Sequence, residues 1–223
     1  MCARYSFFSV QVFQQEFDLD PDGVRPHYNI APTDVVPVVT QTEKGRALEF
    51  MQWGLVPSWA NDPTIGNKLI NARAETLAEK PSFRSAFKTR RCLLPADGFF
   101  EWKGEKGSKQ PFFIHMKSQR PFAFAGLYEY WESPDGALVT CTIITTEPNA
   151  LLATVHTRMP VIVARSDYDA WLDHSVQETT SLMPLLAPYP EGEMQMHPVI
   201  RAMGNPGFES PTIVEPIPAD TLF

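Results

Sequence analysis

Short apolar runs, many of them alternating with polar residues, dominate the chain and predict a structure built mainly from strands. The runs are rich in β-branched and aromatic residues, which favour strands over helices. Two polar, glycine-containing stretches, 105–110 and 133–137, are typical of hairpin turns between them. The predicted strand segments are 35–41, 47–56, 90–102, 110–116, 121–131 and 137–146.

Helical periodicity is confined to three places. Apolar residues recur at helical spacing in 7–19, and further helices are predicted near 81–89 and over 166–187, with Ser166 as the N-cap of the last. Because 21 prolines divide the chain into short elements, we predict an α+β fold. It is a single compact, β-rich domain over 1–223, with curved, barrel-like sheets and a few helices. The tail after Gly204 either adds a last strand or lies over the surface, and the pattern leaves both open.

Composition and charge restrict the function classes. The 223 residues are 43% hydrophobic, which suits one buried core, and no apolar run approaches the ~18 residues of a membrane span. We expect neither a signal peptide nor membrane attachment. The formal net charge of −7 argues against a protein that coats long nucleic acids, but it allows a local basic site.

The three cysteines do not suggest a disulfide framework. Their odd number and wide spacing fit a reducing, cytoplasmic setting, and Cys92 and Cys141 lie in apolar segments as small core residues. The chain has no H-E-x-x-H or C-x-x-C spacing and no glycine-rich phosphate loop. We therefore expect no metal and no cofactor.

Four stretches place polar groups where a strand pattern has no use for them: MCAR, INARAET, ADGFFEWK and TVHTRMP. Glu101 lies between two aromatic residues, where burial would favour a protonated carboxyl and make it a candidate proton shuttle. The alternative is a strand-end glutamate that faces water. His156 precedes Arg158 in a predicted loop, so both are candidates for one pocket, although a structural histidine is the commoner outcome.

Asn71 and Arg73 would share one face of an extended segment. An amide and a cation on one face suit a ligand carbonyl or hydroxyl beside a phosphate. A turn asparagine and a surface arginine are the alternative.

Cys2 follows the initiator methionine, so removal of Met1 would leave an amine and a thiol on one residue. An α-amine has a pKa near 7.7, against about 10.4 for lysine, so much more of it is neutral and nucleophilic at neutral pH. After such an amine forms an imine with an aldehyde, the thiol closes a five-membered ring on the same carbon, and the adduct becomes durable.

Seven blocks in this order resemble one known family: MC-x-R, YNIAP, WGLVPSW, INARAET, RRCLLPADGFFEWK, HTRMP and HPV-x-R-x-x-GN. The chain is similar to the SOS response-associated peptidase (SRAP) family over residues 1 to about 205. The resemblance implies a β-rich α+β domain that senses abasic sites in single-stranded DNA. It also implies that the N-terminal cysteine ends as a thiazolidine DNA–protein crosslink, which shields the lesion in the DNA damage response.

The resemblance also assigns roles to residues. It implies Cys2 as the nucleophile, with Asn71, Glu101 and His156 as partners in the active site. The residues implied to hold phosphates are Arg4, Arg73 and Arg158, and those implied to border the DNA groove are Trp53, Trp59, Trp102 and Pro32. Ala3 departs from the glycine usual in the family, which puts the rate in doubt more than the reaction.

The implied partners are single-stranded DNA with an abasic site and proteins of the replication fork. We expect a monomer that is cytoplasmic and nucleoid-associated when bound to DNA.

Two other functions explain the same residues. In the first, Cys2 is the acylating thiolate of a cysteine-type peptidase or autopeptidase, with His156 as base and Asn71 or Glu101 as the orienting group. In the second, the aromatic residues and arginines form a non-catalytic platform for single strands, and Cys2 is incidental. An acylating thiolate needs no free amine, whereas imine formation does.

Overall fold

The computed structural model describes residues 2–105, 107–133 and 136–218. This part of the chain contains thirteen strands: β1 (Tyr5–Phe7), β2 (His27–Ile30), β3 (Val35–Thr42), β4 (Gly45–Trp53), β5 (Asn71–Arg73), β6 (Arg91–Ala96), β7 (Gly98–Lys103), β8 (Gln110–Met116), β9 (Phe122–Ser133), β10 (Gly136–Thr146), β11 (Met159–Pro160), β12 (Ile162–Val163) and β13 (Met194–Pro198).

The helices of the described residues are short. The α-helices are α1 (Phe13–Phe17), α2 (Arg84–Thr89) and α3 (Tyr168–Leu172). The 3-10 helices are Val10–Val12, Pro63–Lys68, Ala74–Thr76, Leu152–Thr154, Arg165–Asp167, Thr179–Leu186, Glu191–Glu193, Arg201–Gly204 and Pro211–Val214. In the part of the chain that the structure covers, no helix has the length and apolar character to cross a membrane.

Five strands form a closed barrel. β10 pairs in parallel with β4, and antiparallel pairings then lead through β3, β6 and β9 back to β10. β5 and β11 extend this sheet along β10, and β12 extends it along β9. The second sheet is antiparallel throughout, in the order β13-β8-β7-β1-β2. The predicted β-rich α+β fold with curved, barrel-like sheets is confirmed.

Aromatic side chains join the two sheets. The Tyr5 ring of β1 packs edge-on against Trp53 of the barrel at 5.3 Å and against Phe124 at 5.6 Å, measured between ring centroids. All three side chains are fully buried. Cys92 and Cys141 are fully buried as well, so their predicted place in the core is confirmed.

One predicted strand is wrong in its extent. Residues 90–102 form two strands, β6 in the barrel and β7 in the second sheet, and Asp97 lies between them. The Asp97 carboxylate accepts hydrogen bonds from the backbone N–H groups of Phe8 and Ser9 at 2.5 and 2.9 Å. The chain changes sheet here because those two amides, about ninety residues away, hold the carboxylate.

The helix predictions need more correction. Residues 166–187 do not form one helix with Ser166 as its N-cap, because α3 ends at Leu172 and Asp173 has extended backbone angles. The Asp173 carboxylate instead accepts from the Ser175 N–H at 2.9 Å, an alternative to continued helix.

In 7–19 only Val10–Val12 and α1 are helical, since residues 5–7 pair as β1. The helix near 81–89 is present as α2.

The predicted turn at 133–137 joins β9 and β10, which pair from Ser133 and Gly136 onward, although Pro134 and Asp135 lie outside the described residues. Lys106, in the predicted turn 105–110, also lies outside them. The tail adds no strand over its described residues. It packs through buried Ile213, and the Ile217 N–H donates to the Pro198 carbonyl at 3.0 Å.

Candidate functional site

Cys2 is held between the two sheets, directly before β1. Its side chain is 1% exposed, and its carbonyl accepts a hydrogen bond from Asn71 Nδ2 at 2.7 Å. The Cys2 thiol donates to the Arg4 carbonyl at 3.7 Å. Asn71 is the first residue of β5, which pairs in parallel with β10, so the barrel fixes the amide that holds Cys2.

Glu101 approaches Cys2 from β7, the neighbour of β1. The Phe100 N–H donates to the Arg4 carbonyl at 3.0 Å, which sets the register between these strands. Glu101 is 4% exposed. Burial first, and the nearby Glu101 charge second, raise the pKa of the Cys2 thiol well above its ordinary value. The thiol is therefore neutral at physiological pH in this structure.

His156 lies in the loop before β11, with its ring half-buried. His156 Nδ1 lies 2.9 Å from the Arg158 backbone nitrogen and 3.2 Å from the Arg158 carbonyl oxygen, so the backbone of Arg158 orients the ring in either tautomer. β11 and β5 both pair with β10, at Thr145↔Pro160 and Thr145↔Arg73. β10 thus brings the loop that carries His156 next to the strand that carries Asn71.

The predicted phosphate-binding arginines differ in what they contact. Arg73, at the end of β5, is exposed. The Arg158 guanidinium donates to both carboxylate oxygens of Glu75 at 2.6 and 2.9 Å and to the Thr145 carbonyl at 2.6 Å. Arg4 is only 7% exposed, and its guanidinium donates hydrogen bonds to oxygen atoms of Asn29, Met203 and Gly204. A DNA phosphate would have to compete with these acceptors at Arg158 and Arg4.

The aromatic and proline side chains predicted to border a DNA groove are unequally accessible. Trp59 is 56% exposed, and Trp102 and Pro32 are half-buried. Trp53 is fully buried, and its Nε1 donates to the Ile70 carbonyl at 2.8 Å. Trp53 therefore supports the strand that leads to Asn71, and its contact with DNA stays a prediction.

The structure brings Cys2, Asn71 and Glu101 to one place and puts His156 on a neighbouring loop. Two polar residues that the sequence analysis did not single out also belong to this region, Glu75 and Asn29. Asn29 is completely buried and accepts a hydrogen bond from Arg4. Its signal in the sequence was an amide inside the otherwise apolar YNIAP block, which a strand or loop prediction leaves without a role.

Known proteins resemble the chain over almost its whole length. Abasic site processing protein YoqW of Bacillus subtilis is 42% identical over 222 residues, covering 96% of this chain and 99% of the relative. Abasic site processing protein HMCES of Xenopus tropicalis is 31% identical, covering 84% of this chain and 65% of the relative.

A crystal structure of a protein from Bacteroides thetaiotaomicron superposes with a TM-score of 0.85 at 27% identity, over 97% of this chain and 100% of the other. The sequence profile described as SOS response associated peptidase (SRAP) matches residues 1–206. With the relatives and the shared fold, this match shows that the chain belongs to the SRAP family.

Proposed function

We propose that this protein captures abasic sites in single-stranded DNA as a covalent thiazolidine, formed by Cys2 after Met1 has been removed. The observation that carries the proposal is the placement of Cys2, whose carbonyl is held by Asn71 and whose thiol lies near buried Glu101. This placement occurs in a chain 42% identical to a protein named for abasic site processing. The adduct would shield the lesion in the DNA damage response.

The chemistry needs an amine, an aldehyde and a thiol. The Cys2 amine adds to C1′ of the ring-opened sugar, and the carbinolamine loses water to give an imine. The thiol sulfur then bonds to the same carbon, the carbon–nitrogen double bond becomes single, and the thiol proton ends on the nitrogen. The tethered position of the thiol drives this closure, against the raised pKa of Cys2, which keeps the nucleophilic thiolate scarce.

Glu101 and His156 would move the remaining protons. Glu101 takes a proton from the Cys2 amine nitrogen and delivers it to the leaving hydroxyl, since both groups are attached to C1′ in the carbinolamine. His156 gives a proton to the sugar ring oxygen as its bond to C1′ breaks, and the C1′ hydroxyl loses a proton to become the aldehyde. Asn71 keeps the backbone of Cys2 fixed while these transfers occur.

The DNA would be held by exposed groups around this centre. Arg73 is exposed at the end of β5, and Arg158 becomes available to a phosphate when it exchanges Glu75 for DNA. Trp59, Trp102 and Pro32 offer surfaces on which unstacked bases can pack. With a net charge of −7 the electrostatic footprint is short, so a shallow salt dependence is expected.

The proposal predicts a covalent product that depends on both the lesion and Cys2. We expect a heat-stable shifted band on a denaturing gel when the protein, with Met1 absent by intact mass, meets a single-stranded oligonucleotide carrying one abasic site. Cys2→Ala and undamaged DNA should give no such band. Glu101→Gln and His156→Ala should slow its appearance by about 10²-fold or more, the usual size of a lost acid or base.

Acetylation of the N-terminal amine separates this function from the peptidase alternative. Acetylation should abolish the band, because imine formation needs the free amine, whereas an acylating thiolate would keep its activity. The raised pKa of the Cys2 thiol already disfavours a resting thiolate. A band that survives acetylation would contradict the proposed chemistry.

A further inference from the structure

Three segments far apart in the chain meet at one buried guanidinium. They are the N-terminus with Arg4, strand β2 with Asn29, and the tail around Met203–Phe208. Arg4 Nη1 donates to Asn29 Oδ1 at 2.6 Å and to the Met203 carbonyl at 3.1 Å, and Arg4 Nη2 donates to the Gly204 carbonyl at 3.0 Å. These residues belong to three of the seven sequence blocks: MC-x-R, YNIAP and HPV-x-R-x-x-GN.

The side-chain amide nitrogen of Asn29 completes this junction. Its Nδ2 lies within hydrogen-bond distance of three tail carbonyls, those of Met203 at 3.1 Å, Asn205 at 3.0 Å and Phe208 at 2.9 Å. The amide can face only one way, because its oxygen meets the Arg4 donor and its nitrogen meets acceptors. A buried side chain with this many directed contacts holds the tail in one position.

The acceptors around Arg4 are unusual for a buried cation. Burial lowers the pKa of Arg4, and its guanidinium donates to two neutral backbone carbonyls and a side-chain amide oxygen. A buried guanidinium is costly unless its donors are satisfied. The three hydrogen bonds point in different directions, so together they fix the orientation of the Arg4 guanidinium.

The backbone of Arg4 connects this junction to the nucleophile. The Arg4 carbonyl accepts from the Cys2 thiol at 3.7 Å and from the Phe100 N–H at 3.0 Å, and Glu101 is the next residue of β7. A shift of Arg4 would therefore move Cys2 relative to Glu101.

We propose that Arg4, Asn29 and the carbonyls of Met203, Gly204, Asn205 and Phe208 form a tail latch that positions Cys2 for reaction. Asn29 is its central positioning residue, and Arg4 serves the latch rather than a DNA phosphate. This inference rests on the proposed function and adds residues to it. Misplacement of reacting groups by about 1 Å costs on the order of 10²-fold in rate, so a loosened latch lowers the rate more than the affinity.

The test measures crosslinking in a single turnover over a range of DNA concentrations. For Asn29→Ala, we expect the maximal rate to fall about tenfold or more, while the half-saturating DNA concentration stays within about twofold of wild type. Asn29→Asp keeps an acceptor for Arg4 but loses the donors to the tail, so it should show the same split. Asn67→Ala, an exposed asparagine elsewhere, is the matched control and should behave as wild type.

Arg4→Gln provides a second arm that removes both the charge and the guanidinium fork. It should reproduce the rate loss with no change in how binding to undamaged single strands depends on salt, whereas Arg73→Ala should reduce that slope by about 0.7, one phosphate contact. Thermal unfolding of each variant identifies those that fold, and Arg4→Gln decides the question if Asn29→Ala does not fold.

Two results would overturn the tail latch: folded Asn29 variants that crosslink at the wild-type rate, or a slope that falls in Arg4→Gln as it does in Arg73→Ala. Wild-type protein that forms no crosslink would contradict the proposed function first, and the latch with it.

Discussion

Glu75 controls how much positive charge Arg158 presents to a ligand. Both carboxylate oxygens of Glu75 accept from the Arg158 guanidinium, and these hydrogen bonds lower the pKa of the Glu75 carboxyl below its ordinary 4.5. Because the folded-state pKa is depressed, the pair stabilises the folded protein above pH 4.5. This stabilisation is lost as pH falls through the lower folded-state pKa. At physiological pH, a DNA phosphate that binds Arg158 would therefore have to displace a carboxylate.

Replacement of Glu75 should strengthen binding. In Glu75→Gln the guanidinium loses its charged partner, so the affinity for undamaged single-stranded DNA should rise several-fold. The slope of log affinity against log salt should steepen by about 0.7, as one further phosphate is contacted. Fluorescence anisotropy at several salt concentrations measures both, with exposed Glu79→Gln as the control for a change in net charge. Equal gains in the two variants would show that only net charge matters.

Arg91 ties three elements together from inside the protein. It begins β6, is fully buried, and donates from Nε to the Trp171 carbonyl of α3 at 2.7 Å. Its Nη1 donates to the Phe87 and Lys88 carbonyls of α2 at 2.9 and 2.7 Å, and its Nη2 donates to the Asp173 carbonyl. One side chain thus supplies hydrogen-bond donors to carbonyls at the ends of both short helices, which allows the helices to end here.

Loss of this arginine should destabilise the fold without affecting the chemistry of the site. Arg91→Leu leaves four carbonyls without this donor, at about 1–3 kcal/mol for each one that remains buried and unsatisfied. We expect the free energy of unfolding to fall by at least about 3 kcal/mol, as measured by urea denaturation. Arg84→Leu, on the exposed side of α2, is the control and should change it by less than about 0.5 kcal/mol.

The closed barrel depends on a close approach of three strands at Gly126. A Cβ on this residue of β9 would lie 2.2 Å from Leu94 Cδ1 and 2.9 Å from Cys92 Sγ, both on β6, and 3.0 Å from the Thr142 carbonyl on β10. A side chain here forces the buried Leu94 and Cys92 side chains to shift and presses β9 against the backbone of β10. Since β10 also aligns β5 and β11, the barrel transmits such a shift to Asn71 and to the His156 loop.

Substitution of Gly126 should therefore affect both stability and crosslinking. Gly126→Ala is expected to lower the free energy of unfolding by about 1–3 kcal/mol, the usual cost of overpacking a filled core. It should also slow crosslinking, because Asn71 moves with β10. Gly192→Ala, where a Cβ would meet no atom within 4 Å, is the matched control and should change neither. An unchanged urea midpoint in Gly126→Ala would mean that the barrel accommodates a methyl group at this position with no loss of stability.

Local patterns in the sequence were sufficient for several of the longer strands and for the choice of a candidate reactive group. Alternation and β-branched content depend on neighbouring residues alone, so 35–41, 110–116, 121–131 and 137–146 were predicted close to β3, β8, β9 and β10. The ordered blocks, which also need no structure, led to the SRAP family. The chemistry of an amine and a thiol on Cys2 follows from its position behind Met1.

The tertiary structure decided which side chains are accessible to a ligand and which are buried in, or paired with, the protein itself. Trp53 and Arg4 are buried, Arg158 is paired with Glu75, and Asp97 ends one sheet and starts another. None of this is visible in a local pattern, because the partners are distant in sequence: Arg4 meets residues 25 and 199 positions away. A guanidinium has the same donors whether it meets DNA or a backbone carbonyl, and only the folded chain determines which acceptor comes within reach.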